Sequence, residues 1–376
     1  MRILCLPRSP LDYFGGISIF CLNLYKNFDF KVKCFSYDIS NSIKSPLRRK
    51  VLGIDEEVFP SELNHGTISL SLGYFLKIIK TISEFDIVHI QHPDPLSAIS
   101  LIIAKFIKPS IKIITTWHAE VYKSYLLFAP FLLIIDFILF LISDKLVYFT
   151  PYHIKSSLLS KVPIFTKKIE LIPNTIDTEN IIKFKTRNLD IINIEKKEYI
   201  NIVSVGRLVT YKGYEYAIKA LSMLDERFKY IIIGKGPLAK KLKKLIQKNK
   251  LEERVILSGE ISNNQKYEIL NQSDIFLFPS ITTSEAYGLS QIEAMCFDLP
   301  IVNTQLNNGV NFLVSEEDAI TCLPKSAQQL KNAILKLSFE NNTYQKMCKK
   351  SKENLKRFSL KEMISKYREL MLSFDD

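Results

Sequence analysis

Two glutamates flank a Gly-Leu-Ser corner in "SEAYGLSQIEAM", residues 284–295: Glu285 stands before it and Glu293 after it. The segment follows a strand-like run, "DIFLFPS". Were all eight steps between them helical, the carboxylates would lie roughly 12 Å apart, too far to share a proton as an acid–base dyad. A corner at Gly288 allows another geometry, with Glu285 on a loop and a helix opening near Leu289 that carries Glu293 on its early turns. Backbone N–H groups of residues 287–290, Tyr287 to Ser290, would then face an anion at the helix mouth. A carboxylate on either side could accept hydroxyl hydrogen bonds from two parts of one extended ligand. A nucleotide sugar, with sugar hydroxyls, diphosphate and ribose in a row, is such a ligand. A surface helix with ordinary charges fits the same letters.

A second constellation lies in "SVGRLVTYKGYEYAIKAL", where Arg207 and Lys212 flank a short loop between a strand and a helix. Gly206 and Gly213 let that loop turn tightly, and two cations near a helix N-terminus suit a diphosphate. A pair of solvated surface cations is the competing explanation. Gly15 and Gly16 follow the first strand-like run and precede a helix, where glycine lets backbone N–H groups approach a phosphate; a simple turn explains them equally well. His118 ends the apolar run "IKIITTWH" and could donate or titrate there, although a structural histidine is the plainer reading. His89 and His92, three apart on a strand, point to opposite faces and so argue against a shared metal. "IIIGKGPL", containing Gly236, has two glycines of the dinucleotide fingerprint and lacks the third.

These residues need a scaffold, and the chain supplies a repeating one. Short apolar runs alternate with helical patterns: "RILCLP", "GGISIFCLNLYKNF", "KVKCFSY", "DIVHIQHP", "PLSAISLIIAKFIK", "IKIITTWH" and "DKLVYFTP". Such alternation predicts a parallel sheet with helices on both faces. The polar interval 173–199 lacks a clean period and reads as a connection. A second series then runs from "YINIVSVGRL" through "FKYIIIGKGP", "RVILSGE", "DIFLFPS" and "PIVNT", and the chain is helical from about 325 to its end. The predicted architecture is α/β, two doubly wound domains in tandem, with ligands beyond the carboxyl ends of the strands in an interdomain cleft. The expected division is 1–180, a linker at 181–198, a second domain at 199–357, and a closing helical segment, 358–376, that crosses back to the first domain. In that last segment Leu360, Met363, Ile364, Tyr367 and Met371 recur at helical spacing.

A length of 376 residues suits two domains, and 47% hydrophobic with 24% charged residues describes a globular chain. The net charge of +12 favours anionic partners, and residues 1–185 hold 22 basic and 16 acidic side chains, half of that excess. The charge is spread out and no nucleic-acid motif occurs, so nucleic acid is not the expected partner. Six scattered cysteines without a C-x-x-C predict buried free thiols in a reducing cytosol. "MRILCLPRSP" reads as a first strand rather than a signal peptide. The run "YLLFAPFLLIIDFILFLI", residues 125–142, is almost wholly apolar, but Pro130 and Asp136 interrupt it. It predicts a helix partly buried in its domain, with an outer face able to touch lipid, rather than a span.

Taken together, the residues resemble a family 4 retaining glycosyltransferase of the GT-B fold, two Rossmann-like domains facing across a cleft. "EAYGLSQIEAM" is similar to its E-x7-E motif, "SVGRLVTYKG" to its donor-phosphate loop and "LIPNTID" to its I-P-N-G-I-D; the Gly15–Gly16 loop and "IIIGKGP" also fit. The likeness covers nearly the whole chain, with the motifs in order. It implies that Arg207 and Lys212 neutralise the donor diphosphate and stabilise the leaving group. It implies further that Glu293 binds the ribose hydroxyls, while Glu285 and the backbone of Tyr287, Gly288 and Leu289 hold the transferred sugar and phosphate. His118 would contact that sugar, with Gly15, Gly16 and Gly236 completing the donor site.

The implied reaction keeps the anomeric configuration by a front-face route, catalysed by positioning and electrostatics. No D-x-D motif occurs, which implies a metal-independent enzyme with no cofactor beyond its nucleotide-sugar substrate. "TTWHAEVYK" and "PIVNTQLNNGV" look like bacterial mannosyl- or rhamnosyltransferases of surface-polysaccharide assembly, which implies a GDP- or UDP-hexose donor and a glycan or lipid-linked acceptor. The expected location is the cytoplasm, with peripheral contact to the anionic inner face of the cytoplasmic membrane. Three positions depart from the pattern: Thr175 replaces the usual Gly, Glu120 replaces Asp, and "VNFLVSEEDAITCLPK" lacks a glycine-rich closing stretch. The competing classes are a nucleotide-sugar epimerase on the same fold and a non-catalytic GT-B scaffold. A basic nucleic-acid binder is the remaining alternative, and strong salt dependence would mark it.

Overall fold

The computed structural model describes residues 1–13, 15–26, 28–40, 42–65, 68–119, 128–186 and 193–374. Glu120 and residues 125–127 of the apolar run lie outside the described residues. The chain divides into two compact units, one of residues 1–174 with 360–376 and one of residues 175–359.

In the first unit the order is β1 (Arg2–Arg8), α1 (Gly16–Tyr25), β2 (Lys31–Tyr37), β3 (Leu47–Val51), β4 (Ile54–Phe59), β5 (Leu63–His65), β6 (Ile68–Leu70) and α2 (Leu72–Thr81). There follow β7 (Ile87–His92), α3 (Pro95–Ile107), β8 (Lys112–Trp117), α4 (Ala129–Ile142), β9 (Lys145–Tyr148), α5 (Pro151–Ser156), α6 (Pro163–Thr166) and β10 (Ile169–Leu171). Eight strands form one sheet in the order β10-β9-β8-β7-β1-β2-β4-β3. All its pairings are parallel except the edge strand β3 on β4. Central strands covered on both faces are continuously apolar, as "ILCL" in β1 shows: Ile3, Leu4, Cys5 and Leu6 have no exposed surface. The β3–β4 ribbon escaped the sequence reading because charges fill it. Glu56 and Glu57 of β4 are nonetheless buried, held by Arg49 at 2.8 Å and Arg48 at 3.2 Å from β3.

The second unit contains α7 (Thr178–Ile182), β11 (Ile200–Val205), α8 (Tyr214–Leu221), β12 (Phe228–Ile233), α9 (Ala239–Lys248), β13 (Val255–Gly259), α10 (Asn263–Gln272) and β14 (Ile275–Phe278). It continues with α11 (Leu289–Cys296), β15 (Ile301–Thr304), α12 (Gly309–Leu313), β16 (Ala319–Cys322), α13 (Ala327–Phe339) and α14 (Asn341–Leu355). Its six strands run in the order β13-β12-β11-β14-β15-β16, all parallel. The order reverses beside β11, the arrangement that places a ligand crevice at the carboxyl ends of the neighbouring strands. Helix α9 shows why its sequence folds as it does: Leu242 and Ile246 face the core while its lysines face water. A capping box of Ser262 and Gln265 starts α10.

Part of the polar interval expected as a linker is built into this second unit. Ile194 is fully buried in its core, and α7 packs on α11. Thr175 has a fully buried side chain whose hydroxyl donates to the Phe358 carbonyl at 3.1 Å, so the position usually held by glycine here serves as a tie. The last helix, α15 (Leu360–Leu372), belongs to the first unit. Its Tyr367 is buried against the rings of Phe20 and His89 and shares a hydrogen bond with Thr116 at 3.0 Å. Among the described residues no helix is long and apolar enough to cross a membrane.

Candidate active site

In the second unit the backbone leaves β11 through Gly206 and Arg207, forms a 3-10 turn over Thr210–Lys212, and enters α8 at Gly213. Gly213 adopts φ 66°, and a Cβ there would lie 2.1 Å from the Pro279 carbonyl oxygen. The turn is thereby pressed against the end of β14, and the Ile281 N–H donates to the Tyr211 carbonyl at 2.8 Å. The two sequence constellations meet at this point. Lys212 Nζ lies 2.5 Å from Glu285 Oε2, and both side chains are 11% exposed. The ammonium also sits 4.8 Å from the centroid of the Phe278 ring.

Glu285 is held from several sides. Ser280 donates its hydroxyl to Glu285 Oε2 at 3.2 Å, and Asn308 Nδ2 donates to the Glu285 carbonyl at 2.5 Å. Asn308 also caps α12 by accepting from the Val310 N–H at 3.1 Å, so this asparagine closes the loop that lacks a glycine-rich stretch. Arg207 is exposed and, among the described residues, has no carboxylate partner. It belongs to the same locality: burial raises the Tyr211 pKa, Glu285 adds to that, and Arg207 opposes it.

Gly288 is the N-cap residue of α11, and no side chain caps the helix. The structure therefore has the corner and helix start that the sequence suggested, with Tyr287 buried and Leu289 half-buried. Glu293, on the second turn, pairs with Lys266 of α10 at 2.5 Å, with both side chains largely buried. Lys266 was missed because a lysine in "NNQKYEILNQ" looks like any solvated helix residue. Nothing in the sequence marks the carboxylate that it meets 27 positions later.

Gly236 has a structural explanation. A Cβ on it would come within 2.8 Å of three backbone atoms of Leu208, so its smallness lets the arginine loop pack down on the end of β12. That supports Arg207 from behind and requires no ligand.

The first unit contributes a separate group. His118, half-buried just beyond β8, donates its backbone N–H to the His92 carbonyl at 3.0 Å, and its Nε2 lies 2.9 Å from Gln91 Oε1. Burial, then the neighbouring His89, His153 and His92, hold the ring's pKa well below histidine's ordinary value, so it is neutral. Phe20 of α1 and Phe149 pack edge-on against it at 5.4 and 4.9 Å. Gly15 and Gly16 begin α1, again without a side-chain cap. Neither needs glycine for its backbone, and a Cβ on Gly16 would meet nothing within 4 Å. His89, by contrast, is structural: fully buried, it bonds Tyr25 at 2.5 Å and Thr116 at 2.7 Å. His92 meets Asp136 of α4 at 2.9 Å.

Two α/β units, one on an eight-stranded mainly parallel sheet and one on a six-stranded parallel sheet with cations and carboxylates gathered at its strand ends, are the architecture of the GT-B class. Residues 14–180 match the model described as Glycosyltransferase Family 4, and residues 185–354 match the one described as Glycosyl transferases group 1. The two glycosyltransferase models thus match successive parts of the chain, the family 4 model in its first half and the group 1 model in its second. Over 134 residues it is 33% identical to WcaL of Escherichia coli K12, named for glycosyl transfer in colanic acid biosynthesis; the match covers 34% of this chain and 33% of that one. Over 161 residues it is 31% identical to the Campylobacter jejuni N-acetylgalactosamine-N,N'-diacetylbacillosaminyl-diphospho-undecaprenol 4-alpha-N-acetylgalactosaminyltransferase, covering 43% and 41% of the two chains. The chain thus spans less than half the length of either relative. Its fold is similar to that of HepE from Anabaena, with a TM-score of 0.80, 18% identity and coverage of 99% and 100%.

Proposed function

We propose that the chain is a retaining glycosyltransferase that moves a hexose from a GDP- or UDP-sugar to a glycan or lipid-linked oligosaccharide in bacterial surface-polysaccharide assembly. The observation that carries the proposal is the meeting of Arg207, Lys212 and Glu285 where β11 and β14 end, beside the uncapped start of α11. The Lys212–Glu285 pair is close to neutral as a unit, so Arg207 supplies the uncompensated charge for a diphosphate. Glu285 then offers its remaining lone pairs to sugar hydroxyls, and Glu293, oriented by Lys266, accepts those of a ribose. In the first unit, the neutral ring of His118 and the uncapped start of α1 at Gly16 have the chemistry to hydrogen-bond hydroxyl and phosphate groups.

In the proposed step the bond between the sugar's anomeric carbon and the diphosphate oxygen breaks. The acceptor oxygen bonds the same face of that carbon, and its proton passes to the departing phosphate. Arg207 and Lys212 stabilise the charge that develops on the phosphate, which is electrostatic catalysis and needs no metal. The names of two relatives support the pathway and the acceptor class, one being tied to colanic acid and the other to a diphospho-undecaprenol acceptor. The likeness to HepE, whose structure holds UDP, supports the donor class.

One observation favours a non-catalytic scaffold instead: both glutamates are already satisfied by lysines of the chain. Incubation with UDP- and GDP-hexoses and an undecaprenyl-diphosphate-linked sugar, followed by mass spectrometry and NMR of the new anomeric centre, separates the two. A product with the donor's anomeric configuration, abolished by Arg207→Ala, is expected. An inverted product overturns the mechanism, and no product from any donor favours the scaffold.

A further inference from the structure

Helix α4 has its polarity inside out. Its one charged residue, Asp136, faces the core and meets His92 at 2.9 Å. Its solvent face presents Phe131 and Ile134, each 59% exposed, then Phe137 and Leu141, a recurrence of three or four residues without a polar side chain. Phe128, just before the helix, is also exposed. A surface helix of a water-bathed protein places its apolar stripe inward and its charges outward, so an outer face of this kind requires a covering.

Neighbouring elements extend that face. Helix α3 packs beside α4 and exposes Ile103, Ile107 and Phe106, the last 83% accessible. Helix α6 touches α4 through Phe165, whose ring centroid lies 5.3 Å from that of Phe137, and it exposes Ile164. The charges around it are of one sign. Lys161 and Lys167 are exposed on either side of α6, and Lys168 caps the end of α4 by donating to the carbonyls of Leu141 and Ser143 at 2.8 and 2.7 Å. Between residues 128 and 168 the carboxylates are Asp136, buried, and Asp144, paired with Lys112 at 3.6 Å.

We infer that the α3–α4–α6 face docks on an anionic lipid bilayer, with α4 lying in the interface. A helix of 14 residues is about 21 Å long, short of the roughly 30 Å hydrocarbon core. An in-plane helix with apolar residues in the acyl boundary and lysines among anionic headgroups satisfies both features. A second copy docking through the same face would bring the same lysines, while the carboxylates between residues 128 and 168 are buried or paired. Parallel β8 and β9 with α4 between them also place the start of α4 at the carboxyl edge of the sheet, where His118 lies. A lipid-linked acceptor would therefore arrive at the His118 edge, a consequence that rests on the glycosyltransferase reading; the docking itself does not.

The test is flotation of the full chain with vesicles of phosphatidylglycerol and phosphatidylcholine in equal parts, and with vesicles of phosphatidylcholine alone. The unmodified chain is expected to float with the anionic vesicles. Phe131→Gln with Ile134→Gln should lower the bound fraction about tenfold, and Lys161→Glu with Lys167→Glu should do the same. Phe106→Gln, at a side chain with little packing to lose, gives a smaller loss in a variant that keeps its fold, as its melting temperature checks. Unchanged flotation of the Phe131/Ile134 variant overturns the inference. So does absence of flotation together with a concentration-dependent dimer that this variant dissociates, which would make a second copy the occupant. Melting shifts with nucleoside diphosphates, read in the same samples, report on the donor site alone, so the two readings fail separately.

Discussion

Lys212→Met removes an ammonium from a pair that is about nine-tenths buried and leaves Glu285 as an uncompensated charge. At 2.5 Å the gross attraction is about 7 kcal/mol with an effective dielectric constant near 20, much of it offset by the desolvation of both groups. Breaking a buried pair from one side costs about 3–5 kcal/mol. In a unit of this size about 1 kcal/mol moves the melting temperature by roughly 2–4 °C, so the variant should melt about 6–20 °C below the unmodified chain. Adding Glu285→Gln removes the stranded charge while the Ser280 hydroxyl keeps a partner, and should restore stability to within about 1 kcal/mol. The double variant would then fold and still bind nucleoside diphosphate about 10–150-fold more weakly, the worth of one charge-assisted hydrogen bond. Calorimetry and titration read the two effects independently. A Lys212→Met protein that melts within about 1 °C of the unmodified chain refutes the reasoning, as does a double variant no more stable than the single one.

Lys266→Met should raise KM for the donor about tenfold with kcat little changed, because Glu293 loses the partner that orients it, and Lys266→Arg should recover most of the loss. Gly213→Ala forces a left-handed alanine against the Pro279 carbonyl; a loss of at least about 2 kcal/mol in denaturant unfolding is expected, whereas a melting curve like the parent's would mean that the turn is free to move. Burial lowers the His89 pKa to about 3, so its folded value lies below its unfolded one. That stabilising contribution is present above about pH 6.5 and is lost as pH falls, by about 2 kcal/mol between pH 7 and pH 5 as the unfolded chain takes up the proton. A melting temperature that falls over this range, with a shallower slope in His89→Asn, is the expected profile.

The parallel core was legible because its strands are apolar on both faces and its helices keep their period, as in "INIVSV" of β11 and the lysine-faced α9. The charged β3–β4 ribbon was not legible, since buried Glu56 and Glu57 look like surface residues until the arginines of β3 are placed beside them. The same limit applies at the candidate site. Arg207, Lys212, Glu285 and Glu293 could be singled out by spacing, but the pairing of Lys212 with Glu285, 73 positions apart, is a property of the strand order. Lys266 carried no signal at all. Gly236 has a backbone reason of its own in its close packing on Leu208, which its letter could not disclose, since a glycine needed by a neighbouring backbone and one needed by a phosphate read alike. The apolar run at 125–142 disclosed a helix, while only the structure shows that Asp136 turns inward with Phe140, and Phe131 and Phe137 outward.

The central claim is that the second unit binds a nucleoside-diphosphate sugar through Arg207 and Glu293. The most direct measurement is thermal stabilisation by UDP, GDP, ADP, dTDP and CMP, each with and without magnesium. A ligand at a hundred times its Kd should add about 2.7 kcal/mol. Stabilisation by one diphosphate without magnesium, lost in both Arg207→Ala and Glu293→Ala, is the predicted result. No shift with any nucleotide, or a shift that both variants retain, would contradict it.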